Sequence, residues 1–480
     1  MPIHSLPVPV EIVELIIDEL HDDTYTLKHC ALVARAFRRC SQKHLYRYLA
    51  IKFSNHPTPD HEARGLLDAL TEHPHLARSV RHLRIWNYLE GFFDPGAKRW
   101  VQITDDILIR IFQKLPSLCF LAFSASQMMY DFSVHPPQIS WSHLSPPLVL
   151  ALTTMLRSSP ITSIIIQGFT HLPITDIAIN SLHLERLSLS YTDTPLTWDD
   201  DDDSWLIPDL EIPIPLEATA SNTTGDKNFL ESLTMDDYSV LTVHELCRSA
   251  VLPHSKLSLL HLREVVVHNS TRYMADLPDR IMEIASGSLE TLCWKCPDYT
   301  WYTERHVEID APAIPPEIRS LRLLFDHFHG VTPHHMSYVC EALEEIAGGN
   351  KLEEILLVLG MEAPSDQNDV WCESVDWTAW FDELLTGVNE FPHMRRVTIF
   401  IQHPSLCEHS QCVPVARYDE INRRLERMLC LLHARGTLSV QWMVAAVEES
   451  MDRMGVATRA LSQKIEGGVF VGPDGRLKRC

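Results

Sequence analysis

Glycine is scarce in this 480-residue chain, with 17 residues, about half the ordinary share of roughly 7%. It contains no glycine-rich phosphate loop, Gly-x-Ser-x-Gly elbow or dinucleotide fingerprint. A doubly wound nucleotide-binding enzyme needs such a cluster at a strand end, where backbone must approach phosphate, so the shortage argues against that class. Long apolar runs are missing too. None reaches the ~20 residues of a membrane span, and residues 1–20 lack the basic start and unbroken apolar stretch of a signal peptide. Positive charge is in deficit, with 41 Lys and Arg against 64 Asp and Glu and a net charge of −23. Basic clusters are as short as Arg38-Arg39, Arg395-Arg396 and Arg423-Arg424, which argues against a nucleic-acid or anionic-membrane partner. The 12 cysteines lack the dense, even spacing of a disulfide framework, which fits a reducing compartment. Together these absences predict a cytoplasmic or nuclear protein.

A hydrophobic share of 45% and a charged share of 22% are those of a folded chain. The most ordered pattern lies in the first fifty residues. Ile12, Ile16 and Leu20 recur every four residues, flanked by Val13 and Ile17, and predict a helix with a broad apolar stripe. Pro9 sits just ahead, where proline costs a helix nothing. A second helix is predicted from Leu27 to Phe37, with Arg35, Arg38, Arg39 and Lys43 towards and beyond its end, where the macrodipole favours cations. Two helices this small cannot form a core alone and must lean on a partner or on the rest of the chain.

This segment resembles an F-box, the adaptor-binding module of SCF-type ubiquitin ligases, in the form common in large fungal families. The pattern Leu-Pro-x-Glu-Ile-x-x-x-Ile-Ile-x-x-Leu falls on Val8, Pro9, Glu11, Ile12, Ile16, Ile17 and Leu20. Its later part falls on Leu27, Cys30, Leu32, Val33, Arg35, Phe37, His44, Leu45, Tyr46 and Arg47. Val8, Ala34 and Phe37 depart from the usual Leu, Cys or Ser, and Trp, but keep the apolar face. The resemblance implies a Skp-type adaptor as partner, and through it a cullin scaffold. It makes Pro9, Ile12, Ile16, Ile17, Leu20, Leu32 and Val33 the candidate adaptor-binding residues.

Beyond this module, one pattern recurs: apolar, two residues, apolar, one residue, apolar. It begins at Val80, Leu118, Ile161, Leu184, Leu230, Leu262, Leu289, Ile318, Leu352 and Met394, at intervals of 23 to 46 residues. Its last two apolar positions alternate as a strand does, and several copies follow a helical stretch by a few residues, as Leu352 follows the helix stop Gly348-Gly349-Asn350. Short links of this kind place successive strands in parallel with helices on one side. The pattern resembles an irregular leucine-rich repeat, although the Asn that closes the regular repeat strand is missing. The predicted fold class is α/β: an N-terminal helical F-box over residues 1–52, an irregular leucine-rich-repeat-like solenoid with a curved parallel sheet over 53–466, and a flexible tail over 467–480. An acidic insertion near 192–228 carries five consecutive aspartates at 199–203 and predicts a solvated loop.

Several constellations bear on chemistry. Cys293 and Cys296 have the spacing of a redox pair, but Cys293 falls in a predicted strand, whereas such a pair normally opens a helix. His403, Cys407, His409 and Cys412 lie close enough in sequence to ligate zinc, yet lack the two-residue gap of a finger. Asp193, Asp236, Asp237, His268, Asp298, Asp326, His327, His329 and His403 gather beyond strand ends, where an α/β hydrolase-like or metal-dependent enzyme would place its site. A polar rim on a repeat array has the same composition. The preferred expectation is a non-catalytic substrate receptor without cofactor or metal. The alternatives are such an enzyme, or an F-box protein acting outside ubiquitination. Residues between the apolar positions of the pattern face the opposite side of the sheet. There Arg322, Leu324, Leu356, Val358, Thr398 and Phe400 are the candidate partner-binding residues, on the expectation of an exposed apolar patch.

Overall fold

Each copy of the repeated pattern becomes one strand: its first residue, buried in every copy but the half-buried Met394, lies two positions ahead of the strand, and its other two enter the strand pointing into the core. The computed structural model describes residues 9–21, 23–53, 61–86, 98–125, 138–193, 228–236, 238–250, 252, 255–268, 277–296, 313–325, 333–360, 381–387, 389–403, 423–444, 469–471 and 477–479. The strands are β1 (Tyr48–Lys52), β2 (His82–Trp86), β3 (Phe120–Ser124), β4 (Ile139–Ser140), β5 (Ser163–Gln167), β6 (Phe169–Thr170), β7 (Arg186–Ser190), β8 (Asn228–Phe229) and β9 (Ser232–Asp236). They continue with β10 (Leu257–Ser258), β11 (Glu264–His268), β12 (Thr291–Cys296), β13 (Ser320–Phe325), β14 (Glu354–Gly360), β15 (Arg396–His403), β16 (Leu438–Val444), β17 (Val469–Val471) and β18 (Leu477–Arg479).

Fourteen of these form a single α/β-type sheet in the order β1-β2-β3-β5-β7-β9-β11-β12-β13-β14-β15-β16-β17-β18. Among the described residues it is open, with β1 and β18 at its edges. The ladder is parallel from β1 to β16 and turns antiparallel at β17. Pairs β4–β6 and β8–β10 make two small side sheets.

The register is continuous. Leu83, Leu121, Ile164, Leu187, Leu233, Val265, Leu292, Leu321, Ile355 and Val397 stand opposite one another, strand to strand. All of them are buried. Each such side chain contributes roughly 1.5–3 kcal/mol when fully removed from water, so the row as a whole, rather than any one member, fixes the register.

The helices are α1 (Val10–Asp18), α2 (Thr24–Val33), α3 (Arg35–Leu45), α4 (His61–Glu72), α5 (Pro74–Ala77), α6 (Lys98–Phe112), α7 (Pro146–Ser158), α8 (Ile174–Asn180) and α9 (Val240–Ala250). After them come α10 (Leu277–Ile284), α11 (Pro333–Ile346), α12 (Glu383–Thr386) and α13 (Cys430–Ala434). From α4 onward their apolar faces share one core with the strand row: Leu67, Leu108, Leu148, Ile177, Val243, Ile281, Leu343, Leu385 and Leu432 belong to it. Neighbouring helices also touch, α6 against α7, α7 against α8 and α8 against α9. Side chains tie them together: Arg157 Nε donates to Asn180 Oδ1 at 2.6 Å, and Thr175 meets Glu245 at 3.0 Å and Ser249 at 2.7 Å.

Two boundaries differ from those expected from sequence. The segment 1–52 is not helical throughout, because Tyr48–Lys52 pairs with β2 and begins the sheet. Within the expected flexible tail, β17 and β18 form an antiparallel pair at the far edge; the β-prone run Val469-Phe470-Val471 continues an edge that would otherwise leave its backbone groups unpaired. The aspartates at 199–203 lie outside the described residues.

The helix stop at 348–350 does more than end α11. Gly348 takes φ +83°, a conformation that side chains with a Cβ disfavour. Buried Asn350 then donates to the carbonyls of Ile346 at 3.0 Å and Glu390 at 2.7 Å, and its Oδ1 accepts from Leu352 N–H at 3.2 Å. One side chain thus fastens a helix end, the next unit's turn and the entry to β14. Asn350→Leu should leave these groups buried and unpaired, costing about 1–3 kcal/mol, measurable as a lowered urea midpoint with unchanged far-UV circular dichroism.

Candidate functional site

The N-terminal helices have more apolar residues than one small core can take. Asp23 starts α2 by accepting from Thr26 N–H at 2.9 Å and Thr26 O–H at 2.6 Å. Extended Ala34 alone separates α2 from α3. Val13, Ile17, Leu27 and Cys40 pack at the centre, with Leu20, Cys30, Phe37 and Leu45 around them. The inward line is therefore Val13 and Ile17 on α1, continued by Leu20 just past its end. Ile12 and Ile16 lie on another face and are 45% and 52% exposed, and Leu32 and Val33 at the end of α2 are 79% and 75% exposed.

This corrects part of the sequence-based assignment. Ile17 is only 1% exposed and Leu20 is half-buried against the same cluster, so both support the module from within. The i, i+4 spacing of Ile12, Ile16 and Leu20 and that of Val13 and Ile17 are equally helical, and the two lines can be told apart only when α3 arrives to cover one of them. Pro9, Ile12, Ile16, Leu32 and Val33 remain on the surface. The sequence reasoning missed Leu15 and Tyr25, exposed by 61% and 73%. For Leu15 the signal was present: an aliphatic residue off the inward line of a short helix.

The face of the sheet opposite the main core corrects a second assignment. Leu324, Val358 and Phe400 are adjacent across β13, β14 and β15, but they are buried, together with Val266 and Cys293, in a second small apolar cluster against which Leu356 packs. Thr398 is buried as well. Arg322 is held by Glu264 at 3.0 Å, both side chains largely covered. No exposed apolar patch exists at these positions, whose side chains pack on one another in that cluster. Cys293 is buried in this cluster, and burial pushes its thiol up to about 12.

The strand-end acids have partners in the backbone. Asp193, just beyond β7, accepts from Leu241 N–H at 2.6 Å, Thr242 N–H at 2.9 Å and Thr242 O–H at 2.7 Å, which caps the first turn of α9. Asp236, at the end of β9, accepts from Ser239 O–H at 2.6 Å and from Tyr191 N–H at 3.0 Å. Tyr191 adopts φ 53° and stacks on Tyr238 at 5.0 Å. Asp382 repeats the arrangement at α13, accepting from Leu431 and Leu432 N–H, both at 2.8 Å. Asp105 accepts from Ser145 N–H at 3.2 Å ahead of α7. His268 is buried beside Asp236 in the register. Asp237, Asp298, Asp326, His327, His329, Cys407, His409 and Cys412 lie outside the described residues, and among the described residues no group of three or more His, Cys, Asp or Glu is placed to hold a metal ion. No described helix is long and apolar enough to cross a membrane.

Burial raises Asp193 against the pull of its three donors. It raises Asp236 from 3.8 to about 7, opposed by Ser239 and Tyr191 and assisted by the nearby charge of Asp193. A carboxyl that holds its proton more tightly in the folded state adds stability that is complete below its unfolded value near 3.8 and lost as pH rises to about 7. Urea unfolding in half-unit steps from pH 4.5 to 7.5 should show stability declining less steeply in Asp236→Asn than in the parent, by up to about 1.4 kcal/mol per pH unit, the figure for one proton.

The chain matches no protein-family model and no curated protein.

Proposed function

We propose that the chain is the substrate-receptor subunit of an SCF-type ubiquitin ligase. In this reading α1 to α3 are an F-box that docks on a Skp-type adaptor and through it on a cullin scaffold. The strands from β1 onward, with their helices, are an irregular leucine-rich-repeat-like solenoid that holds a target protein. The observation that carries the proposal is the division of α1 into two apolar faces. Val13 and Ile17 complete the module's own core, so Ile12, Leu15 and Ile16, with Leu32 and Val33 on α2, stay open to water. A module that has satisfied its core and still exposes five large aliphatic side chains has a surface suited to an apolar partner. The residues of the F-box resemblance say which partner.

Support for the repeat reading comes from the sheet. Its strands from β1 to β16 follow one another in chain order, interrupted only by the short strands of the side sheets, and the pattern's leading residues from Val80 to Leu352 are all buried. An array of this kind grows by adding units to an edge. The receptor itself contributes no catalytic group in this scheme, because ubiquitin transfer falls to other subunits.

The double variant Ile16→Asp with Leu32→Asp should lose co-purification with the adaptor, with affinity falling at least 100-fold, since two carboxylates would be buried in the contact. Both positions are exposed, so circular dichroism and the melting transition should hold. Ile17→Asp should instead unfold the module. Unchanged adaptor affinity in the double variant would remove the F-box assignment.

A further inference from the structure

A basic cleft of about 740 Å³ opens where the helical module meets the start of the sheet. It is lined by Asp18 and His21 after α1, Lys43, His44 and Arg47 around the end of α3, Arg78 and Ser79 after α5, Arg81 and His82 at β2, and Cys119 at β3. Four of these ten residues are Lys or Arg, in a chain where they number 41 of 480. Three more are histidines. Among the described lining residues the single carboxylate, Asp18, is already bound by His44 Nε2 at 2.6 Å.

The sheet ladder fixes the backbone at two of the cations, Arg47 and Arg81. The carbonyl of Arg47 accepts from Arg81 and His82 N–H at 3.0 and 2.9 Å, and that of Arg81 accepts from Cys119 and Phe120 N–H at 2.8 and 3.0 Å. Arg47, Arg81 and Cys119 therefore stand at the entry ends of three successive strands. The Arg81 guanidinium is steadied by the carbonyl of Ser117 at 3.1 Å. Among the described residues no carboxylate pairs with Lys43, Arg47, Arg78 or Arg81. The macrodipole of α3 accounts for positive charge at Lys43, but not for Arg81 at the start of a strand. At the start of β15, by contrast, both cations have partners: Arg395 meets Glu353 at 3.0 Å, and Arg396 meets Glu354. Four unneutralised cations held in one concavity repel one another, and a compact anion of high charge removes that repulsion.

We propose that this cleft binds a small anion carrying two or more phosphate groups, with Lys43, Arg47, Arg78 and Arg81 as its ligands. Phosphate suits the donor set because guanidinium forks and ammonium groups meet its oxygens from several directions at once. More than one phosphate is needed to engage cations supplied by both the module and the sheet. The proposal is independent of the adaptor reading, since Ile12, Ile16, Leu32 and Val33 are not among the lining residues.

Inorganic triphosphate is the probe, titrated into the full-length chain by calorimetry. Saturable one-to-one binding is expected, at least tenfold tighter than for orthophosphate, sulfate or citrate. The double variant Lys43→Gln with Arg78→Gln should weaken it at least tenfold. Arg38→Gln with Arg39→Gln removes the same charge from α3 outside the cleft and should change affinity less than twofold. A thermal shift with triphosphate, present in the parent and lost in the cleft variant, gives a second readout and shows that the variant is folded. No saturable binding to the parent would overturn the proposal. So would equal weakening by the two double variants, because attraction would then be a property of net charge, or citrate binding as tight as triphosphate, because phosphate would not be the group recognised.

Discussion

The parallel register is the constraint on which the rest of the structure depends. Leu83, Leu121, Ile164 and their counterparts through Val397 form one row, and each member is covered by its neighbours on adjacent strands and by helices below. A shift of one residue in any strand would turn its apolar set to the opposite face. On that face stand Arg84, Ser188, Arg322 and Thr398, in register with one another across the ladder. Helix lengths and loop lengths vary freely between units because the row, not the connection, decides where each strand lies.

A second constraint follows from the connections. A helix entering beside a strand end has first-turn N–H groups with no partner inside the helix. The chain meets this need with carboxylates: Asp193 at α9 and Asp382 at α13, with Asp105 accepting the N–H that precedes α7. Each is supplied from an earlier part of the chain than the helix it serves. Such residues cost desolvation and return order, and their burial explains why acids collect at strand ends without forming a metal-binding cluster among the described residues.

Much of this was legible in the sequence, for reasons that also mark where legibility stopped. The apolar pattern located β2, β3, β5, β7, β9 and β11 to β15, because burial on one sheet face has period two and leaves a trace in any single unit. β1 escaped notice because Tyr48-Leu49-Ala50-Ile51-Lys52 is one strand in length and follows a helix without a turn signal. The F-box resemblance points to the exposed Ile12, Ile16, Leu32 and Val33, but it cannot separate them from buried Ile17, because a nine-residue helix with apolar residues on two faces does not announce which face its own neighbours cover. Leu324, Val358 and Phe400 were assigned to the correct side of the sheet but to the wrong environment. Their outward direction follows from parity, whereas their burial depends on tertiary packing that a linear pattern does not contain.

The junction between α3 and β1 has a mechanical consequence. Only Tyr46 and Arg47 separate the last helix of the module from the first strand of the sheet, and the Arg47 carbonyl is clamped by two N–H groups from the next unit. No slack exists there to absorb a rotation. Whatever grips the helices therefore aims the sheet, and the direction in which its far edge points is set at this two-residue joint rather than by a hinge.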